Sequence, residues 1–194
     1  MFIPMLPKSV CFVDLETTGT SAYFGKIIEI GILKVENDKI VKKYKTLVNP
    51  QTYIDPFIER LTGIDSKELE NAPTFDTVAK EVWEILDGSV FVAHNVRFDY
   101  GFLKAEFKRL GLTYKSKHFC TIKLARVLFP KLGKYNLDSI MQNFKIKCEN
   151  RHRAFDDASV LWEFIKKAKK QTTEKEFSNA INIALRKPTV PINL

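Results

Sequence analysis

The chain has 194 residues, 45% hydrophobic and 28% charged, the balance of a soluble globular domain with a sizeable core. No apolar stretch is long enough to cross a bilayer, and three widely spaced cysteines argue against a disulfide framework or a zinc knuckle. The net charge of +8 is uneven: residues 1–100 carry 11 Lys and Arg against 15 Asp and Glu, and residues 101–194 carry 20 against 8. The basic second half suits a polyanionic partner, although lysines also serve as plain solvated surface.

Residues 1–8 are apolar, but Pro4 and Pro7 interrupt them and no basic segment precedes them, so they do not read as a signal peptide. With the unpaired cysteines, this leads to a cytoplasmic expectation and no membrane partner. Residues 10–14 form the first predicted strand, an apolar run closed by Asp14-Leu15-Glu16. Side chains alternate along a strand, so Asp14 and Glu16 share one face. Two like charges at the end of a buried strand repel each other and resist desolvation. Hard divalent cations relieve that arrangement most simply.

Residues 27–35 and 40–48 are the next two strands, joined by a turn at Glu36-Asn37-Asp38-Lys39 into an antiparallel hairpin. A proline-bounded segment, 50–56, leads through 58–61 to a turn at Thr62-Gly63. A helix is predicted over 74–86, a short buried strand over 90–93, and a helix over 96–110 stopped by Gly111. A short strand near Phe119 feeds a helix through Leu124 and Leu128 that Pro130 closes. Helices follow near 137–144, 155–169 and 174–185. The domain is expected to span 1–186, and Pro188 and Pro191 make 187–194 an extended tail. A strand meander followed by strand–helix alternation implies an α/β fold with a mixed sheet between helices.

Two further acidic sites stand at predicted helix starts. Asp99, in His94-Asn95-Val96-Arg97-Phe98-Asp99, shares a helix face with Phe102 and Leu103. Asp157, in His152-Arg153-Ala154-Phe155-Asp156-Asp157, borders the apolar stripe Ala158, Leu161, Trp162 and Ile165, whereas Asp156 points further towards solvent. Each acid alone also fits an ordinary first-turn carboxylate favoured by the helix dipole.

Together, Asp14-x-Glu16-Thr17-Thr18-Gly19, His94-Asn95-x-x-Phe98-Asp99 and His152-x-Ala154-x-x-Asp157 resemble the three blocks of the DEDDh-type 3′–5′ exonucleases. The resemblance runs from about residue 10 to about residue 168 and is nearest to the proofreading subunit of bacterial DNA polymerase III and its stand-alone relatives. Ile28-Glu29-Ile30-Gly31, Leu61-Thr62-Gly63-Ile64 and Tyr135-x-Leu137 are secondary matches. The resemblance implies a ribonuclease-H-like fold, a five-stranded mixed sheet with helices on both faces. It implies that Asp14, Glu16, Asp99 and Asp157 are catalytic carboxylates holding two divalent cations, Mg²⁺ or Mn²⁺, with Asp14 shared between them. His152 would be the general base. Thr17, Thr18, Leu61, Thr62, His94, Asn95 and Phe98 would lie near the terminal nucleotide.

The implied substrate is a single-stranded 3′ end, DNA in preference to RNA, released as nucleoside 5′-monophosphates in proofreading or repair, with a polymerase or repair protein as a partner. Lys123, Lys131 and Lys134 are candidates for upstream phosphates. Two other readings stand beside it: a 3′–5′ exoribonuclease, and a non-catalytic nucleic-acid-binding polymerase accessory module. Cys120-Thr121 departs from the family, where many members place an acid before the threonine, and little chain follows the last helix to match the proofreading subunit's polymerase-binding tail.

Overall fold

Strand pairing sets the frame of the molecule, described here for residues 6–185 from a computed structural model. β1 (Ser9–Thr17), β2 (Ile27–Glu36) and β3 (Lys39–Leu47) form the antiparallel meander. Asn37 and Asp38, at φ of 49° and 63°, supply the left-handed backbone that a two-residue hairpin turn requires. β4 (Val90–Ala93) and β5 (His118–Cys120) add in parallel beyond β1, giving the order β3-β2-β1-β4-β5. β1 therefore lies inside the sheet, and its C-terminal end opens between an antiparallel and a parallel neighbour.

The sheet separates two apolar layers. One face carries Val10, Phe12, Leu33, Val92 and Phe119 against α5 (Thr121–Leu128), α6 (Leu137–Phe144), α7 (Ala154–Gln171) and α8 (Glu174–Leu185). The opposite face carries Cys11, Val13, Ile32 and Phe91 against α3 (Phe75–Leu86) and α4 (Val96–Arg109). Phe12, Phe91, Phe102, Phe107, Phe119, Phe164 and Phe177 are all fully buried. At roughly 1.5–3 kcal/mol for each such side chain, these layers are the main force holding the sheet between its helices.

Two details differ from expectation. β1 does not stop at Asp14 but runs on to Thr17, because Glu16 still pairs with Glu29 before the register shifts at Thr17. Between the expected proline-bounded segment and the helix at 74 lie two short helices, α1 (Pro56–Thr62), where only a turn at Thr62-Gly63 is expected, and α2 (Ser66–Glu70), for which the sequence gives no expectation. Neither is long enough to show an apolar period, and capping makes them. Asp55 accepts from the Phe57 N–H, Pro56 occupies the first turn, and Gly63 (φ 68°) ends α1. A reciprocal capping box between Asp65 and Glu68 starts α2. The expected tail at 187–194 lies outside the described residues. No helix among the described residues is long and apolar enough to cross a membrane.

Candidate active site

The β1–β2 register builds the floor of the site. Cross-strand partners point to the same face, and along the α7 side they read Phe12 with Leu33, Asp14 with Gly31, and Glu16 with Glu29. The sequence thus passes from apolar, to a carboxylate beside a glycine, to two carboxylates side by side. Gly31 is where α7 lands. A Cβ placed on it would meet the Ala154 carbonyl carbon and the Phe155 nitrogen at 2.2 Å each. Glu29, only 3% exposed, anchors the same end of α7. It accepts from Arg153 Nε at 3.1 and 3.3 Å, from Arg153 Nη2 at 2.8 Å, and from the Ala154 N–H at 2.8 Å. One turn further along α7 stands Asp157.

Asp99 arrives from the other layer. α4 begins immediately after β4, and Asn95 turns the chain into it with a left-handed backbone, φ 65°. Asp99, 2% exposed, accepts the Leu15 N–H at 3.1 Å on Oδ1. It is tied to the peptide between the two β1 carboxylates. Phe102 and Leu103, on the same side of α4, are fully buried, as their spacing predicts.

The turn before α7 completes the site. His152 also has a left-handed backbone, φ 62°, uncommon for a residue with a side chain and a recurrent feature of functional loops. Its N–H donates to Asp157 Oδ2 at 3.2 Å. Arg151 pairs with Asp157 and, through Nε at 2.8 Å, with Asp138. One ligand atom each from Glu16, His152 and Asp157 lies within 4.8 Å of the other two.

These residues line one cavity of about 220 Å³, together with Asp14, Leu15, Asp99, His94, Asn95, Phe98 and Leu137. Asp14, Glu16, Asp99, Asp157 and His152 are therefore brought together, as are His94, Asn95 and Phe98. Phe98 also packs on Phe102, ring centroids 4.8 Å apart, so it belongs to core and cavity alike. His94 bonds through Nδ1 to the Thr121 hydroxyl at 2.8 Å, and burial pushes its pKa down to about 4. The threonine after Cys120 thus orients a cavity histidine.

Four other expected residues lie off this lining. Thr17 is buried and donates to the Gly19 carbonyl at 2.7 Å, while the Thr18 hydroxyl accepts the Lys26 N–H at 3.0 Å. Thr62 is buried and bonds back to the Ile58 carbonyl, and Leu61 is 41% exposed on α1. Arg151 went unnoticed in the sequence. No spacing rule marks an arginine in a turn, and only the folded turn sets it between Asp138 and Asp157.

The carboxylates disturb one another. Burial, then the charges of Asp99, Asp157 and Glu16, raise the Asp14 pKa well above the carboxylate range. Burial, then Asp157, Glu29 and Asp99, push Glu16 up to about 8. Burial pushes Asp99 up to about 8 and raises Asp157, which Arg151 partly offsets. Four carboxyl groups crowded this way demand protons or cations. Oxygen-rich donors with one imidazole fit hard divalent cations.

Known proteins resemble this chain in sequence and in fold. The exonuclease family model of the RNase T type matches residues 11–164. The chain is 43% identical over 158 residues to the PolC-type DNA polymerase III of Caldanaerobacter subterraneus subsp. tengcongensis, covering 81% of this chain and 11% of that protein. It is 39% identical over 150 residues to the 3′–5′ exonuclease DinG of Bacillus subtilis, covering 76% of this chain and 16% of that protein. The chain thus spans only a small part of the length of these relatives. Among solved structures, the nuclease domain of 3′hExo, a DEDDh family member, superposes with a TM-score of 0.73 at 21% identity, covering 86% of this chain and 94% of that one. Exonuclease X, in complex with 5′-overhanging duplex DNA, gives 0.70 at 24%, covering 88% and 98%; both share the fold. With the family match covering most of its length and its acidic blocks folded into one cavity, this chain belongs to the exonuclease family.

Proposed function

We propose that this protein removes nucleotides one at a time from the 3′ end of single-stranded DNA, with two divalent cations, Mg²⁺ or Mn²⁺, and works in proofreading or repair in the cytoplasm. The observation that carries the proposal is the meeting of Asp14, Glu16, Asp99, Asp157 and His152 at the end of β1. A binding module gains nothing from four carboxylates facing phosphate. Asp14, Glu16, Asp99 and Asp157 would hold the cations. Bound there, the cations supply positive charge for the phosphate and acidify water.

The side chains do the rest. His152 takes a proton from the attacking water. The water oxygen bonds to phosphorus, and the P–O3′ bond breaks. The departing 3′-oxygen takes a proton from bulk water and His152 returns its own to solvent, giving a nucleoside 5′-monophosphate and a strand shortened by one residue. Phe98 and Leu137 offer the terminal base an apolar wall that does not discriminate its identity.

The direct test uses single strands of DNA and RNA labelled at either end, with Mg²⁺, Mn²⁺ or EDTA. The expected result is 5′-labelled DNA shortening from its 3′ end, mononucleotide release, and no reaction in EDTA. Hydrolysis of RNA alone would make the protein an exoribonuclease. Metal-independent binding without cleavage would make it an accessory module. The PolC-type relative supports a polymerase setting for such a domain.

A further inference from the structure

A second cavity adjoins the acidic one. It is larger, about 560 Å³, and lies between the start of α4, the segment entering β5, and the end of α8. Its charged side chains are Arg97, Lys115, Lys117 and Lys123, with no aspartate or glutamate among its described lining residues. Asn95 lines both cavities, so a chain leaving the acidic cavity past Asn95 enters the basic one. We propose that this groove is a phosphate-backbone subsite for the strand whose 3′ end sits in the acidic cavity. The proposal rests on the exonuclease reading above and adds where the upstream strand runs.

Three features favour a polyanion over plain surface. First, three of the four cations are not consumed internally. Arg97, Lys115 and Lys117 are exposed and form no ion pair among the described residues. Second, the segment bearing the lysines is pinned. The Ser116 N–H donates to the Tyr100 hydroxyl at 3.0 Å, and the Lys117 carbonyl accepts the Phe91 N–H at 2.9 Å. His118 stacks on the Tyr100 ring with centroids 4.3 Å apart. Cations gathered on a fixed wall repel one another, and a polyanion relieves that repulsion without reorganising the wall. Third, lysines meet phosphate as point charges and carry no base discrimination, which suits an enzyme that must accept any sequence.

The test compares the wild type with a Lys115→Glu/Lys117→Glu variant on two substrates. The p-nitrophenyl ester of thymidine 5′-monophosphate is one nucleotide and reaches the acidic cavity alone. A twelve-residue oligothymidylate spans both cavities. In the variant, KM for the oligomer should rise by about tenfold or more. The slope of log affinity against log salt should fall by about 1.4, which is two contacts at about 0.7 each on a single strand. Hydrolysis of the ester should be unchanged. An oligomer KM within twofold of the wild type overturns the subsite. Parallel loss on both substrates, in a protein of unaltered thermal midpoint, also overturns it, because the lysines would then act on the acidic cavity. If the wild type hydrolyses neither substrate, the exonuclease reading fails. The groove is then read by fluorescence anisotropy of the labelled oligomer with Ca²⁺: affinity lost in the variant supports it, affinity retained overturns it.

Discussion

Glu16 and Asp99 are carboxyl groups held near pKa 8 by burial, and Asp14 and Asp157 are raised as well. In the unfolded chain such groups titrate near pH 4. Between about pH 4 and pH 8 the folded, cation-free protein therefore holds more protons than the unfolded chain, and stability falls as pH rises through that window. In EDTA the thermal midpoint should drop steadily from about pH 5 to about pH 8, and Glu16→Gln should flatten part of the slope. A midpoint that climbs with pH over that range would refute the crowding argument. Mg²⁺ should restore the loss, most strongly at high pH, because it binds the ionised form. His152 admits a sharper separation. As a base, its replacement in His152→Ala should lower turnover by about 10²–10⁴-fold. The Mn²⁺ midpoint and the oligonucleotide affinity should move less than about threefold. Equal loss in all three would recast His152 as a ligand in the cluster it forms with Glu16 and Asp157. Each acid of the cavity was visible in the sequence because it sits in a short motif at the edge of a regular element. Arg151 was not, since its role depends on a turn that no periodicity describes.

At the scale of elements, the seating of α7 on β2 decides whether the site exists. Asp157 rides on α7, and α7 is fixed by Gly31 beneath Ala154 and by Glu29 beside it. The contact is backbone on glycine, so no rotamer change can relieve an added methyl. Gly31→Ala should cost at least about 1–3 kcal/mol. For a domain of this size that lowers the thermal midpoint by roughly 2–4 °C per kcal/mol. Activity should fall further than stability, because a shifted α7 carries Asp157 away from Asp14 and Glu16. Glu29→Ala leaves the Ala154 N–H and Arg153 without their acceptor and should cost about 1–3 kcal/mol. Full activity in Gly31→Ala, measured at a temperature where the variant is folded, would show that α7 is not held by this contact. The five strands and the six longer helices were legible because their apolar period or their Gly and Pro stops extend over several residues. α1 and α2 were not, because their seven and five residues are set by caps alone. The Ile28-Glu29-Ile30-Gly31 match was legible as a motif, but its purpose became visible only once the turn at Arg153 closed upon it.

Across the whole molecule, the candidate cation ligands come from three places that unfolding separates. Asp14 and Glu16 belong to the interior strand, Asp99 to the helix layer on one face, and Asp157 to the helix layer on the other. A cation cluster held by all of them spans both layers and is lost when either layer detaches. Its binding is thus linked to global unfolding and not to the fraying of one segment. At a hundred times its dissociation constant, one bound cation adds about 2.7 kcal/mol to the folded state. With roughly 2–4 °C per kcal/mol, the midpoint should rise by about 5–11 °C in a single cooperative transition. Differential scanning calorimetry with Mg²⁺ titrated into EDTA-treated protein measures it. Asp99→Asn and Asp157→Asn should each shrink the cation-induced rise, although they lie on opposite faces of the sheet. If one variant abolished the rise and the other left it intact, the two layers would not share the ion, and the site would be two separate carboxylate pairs.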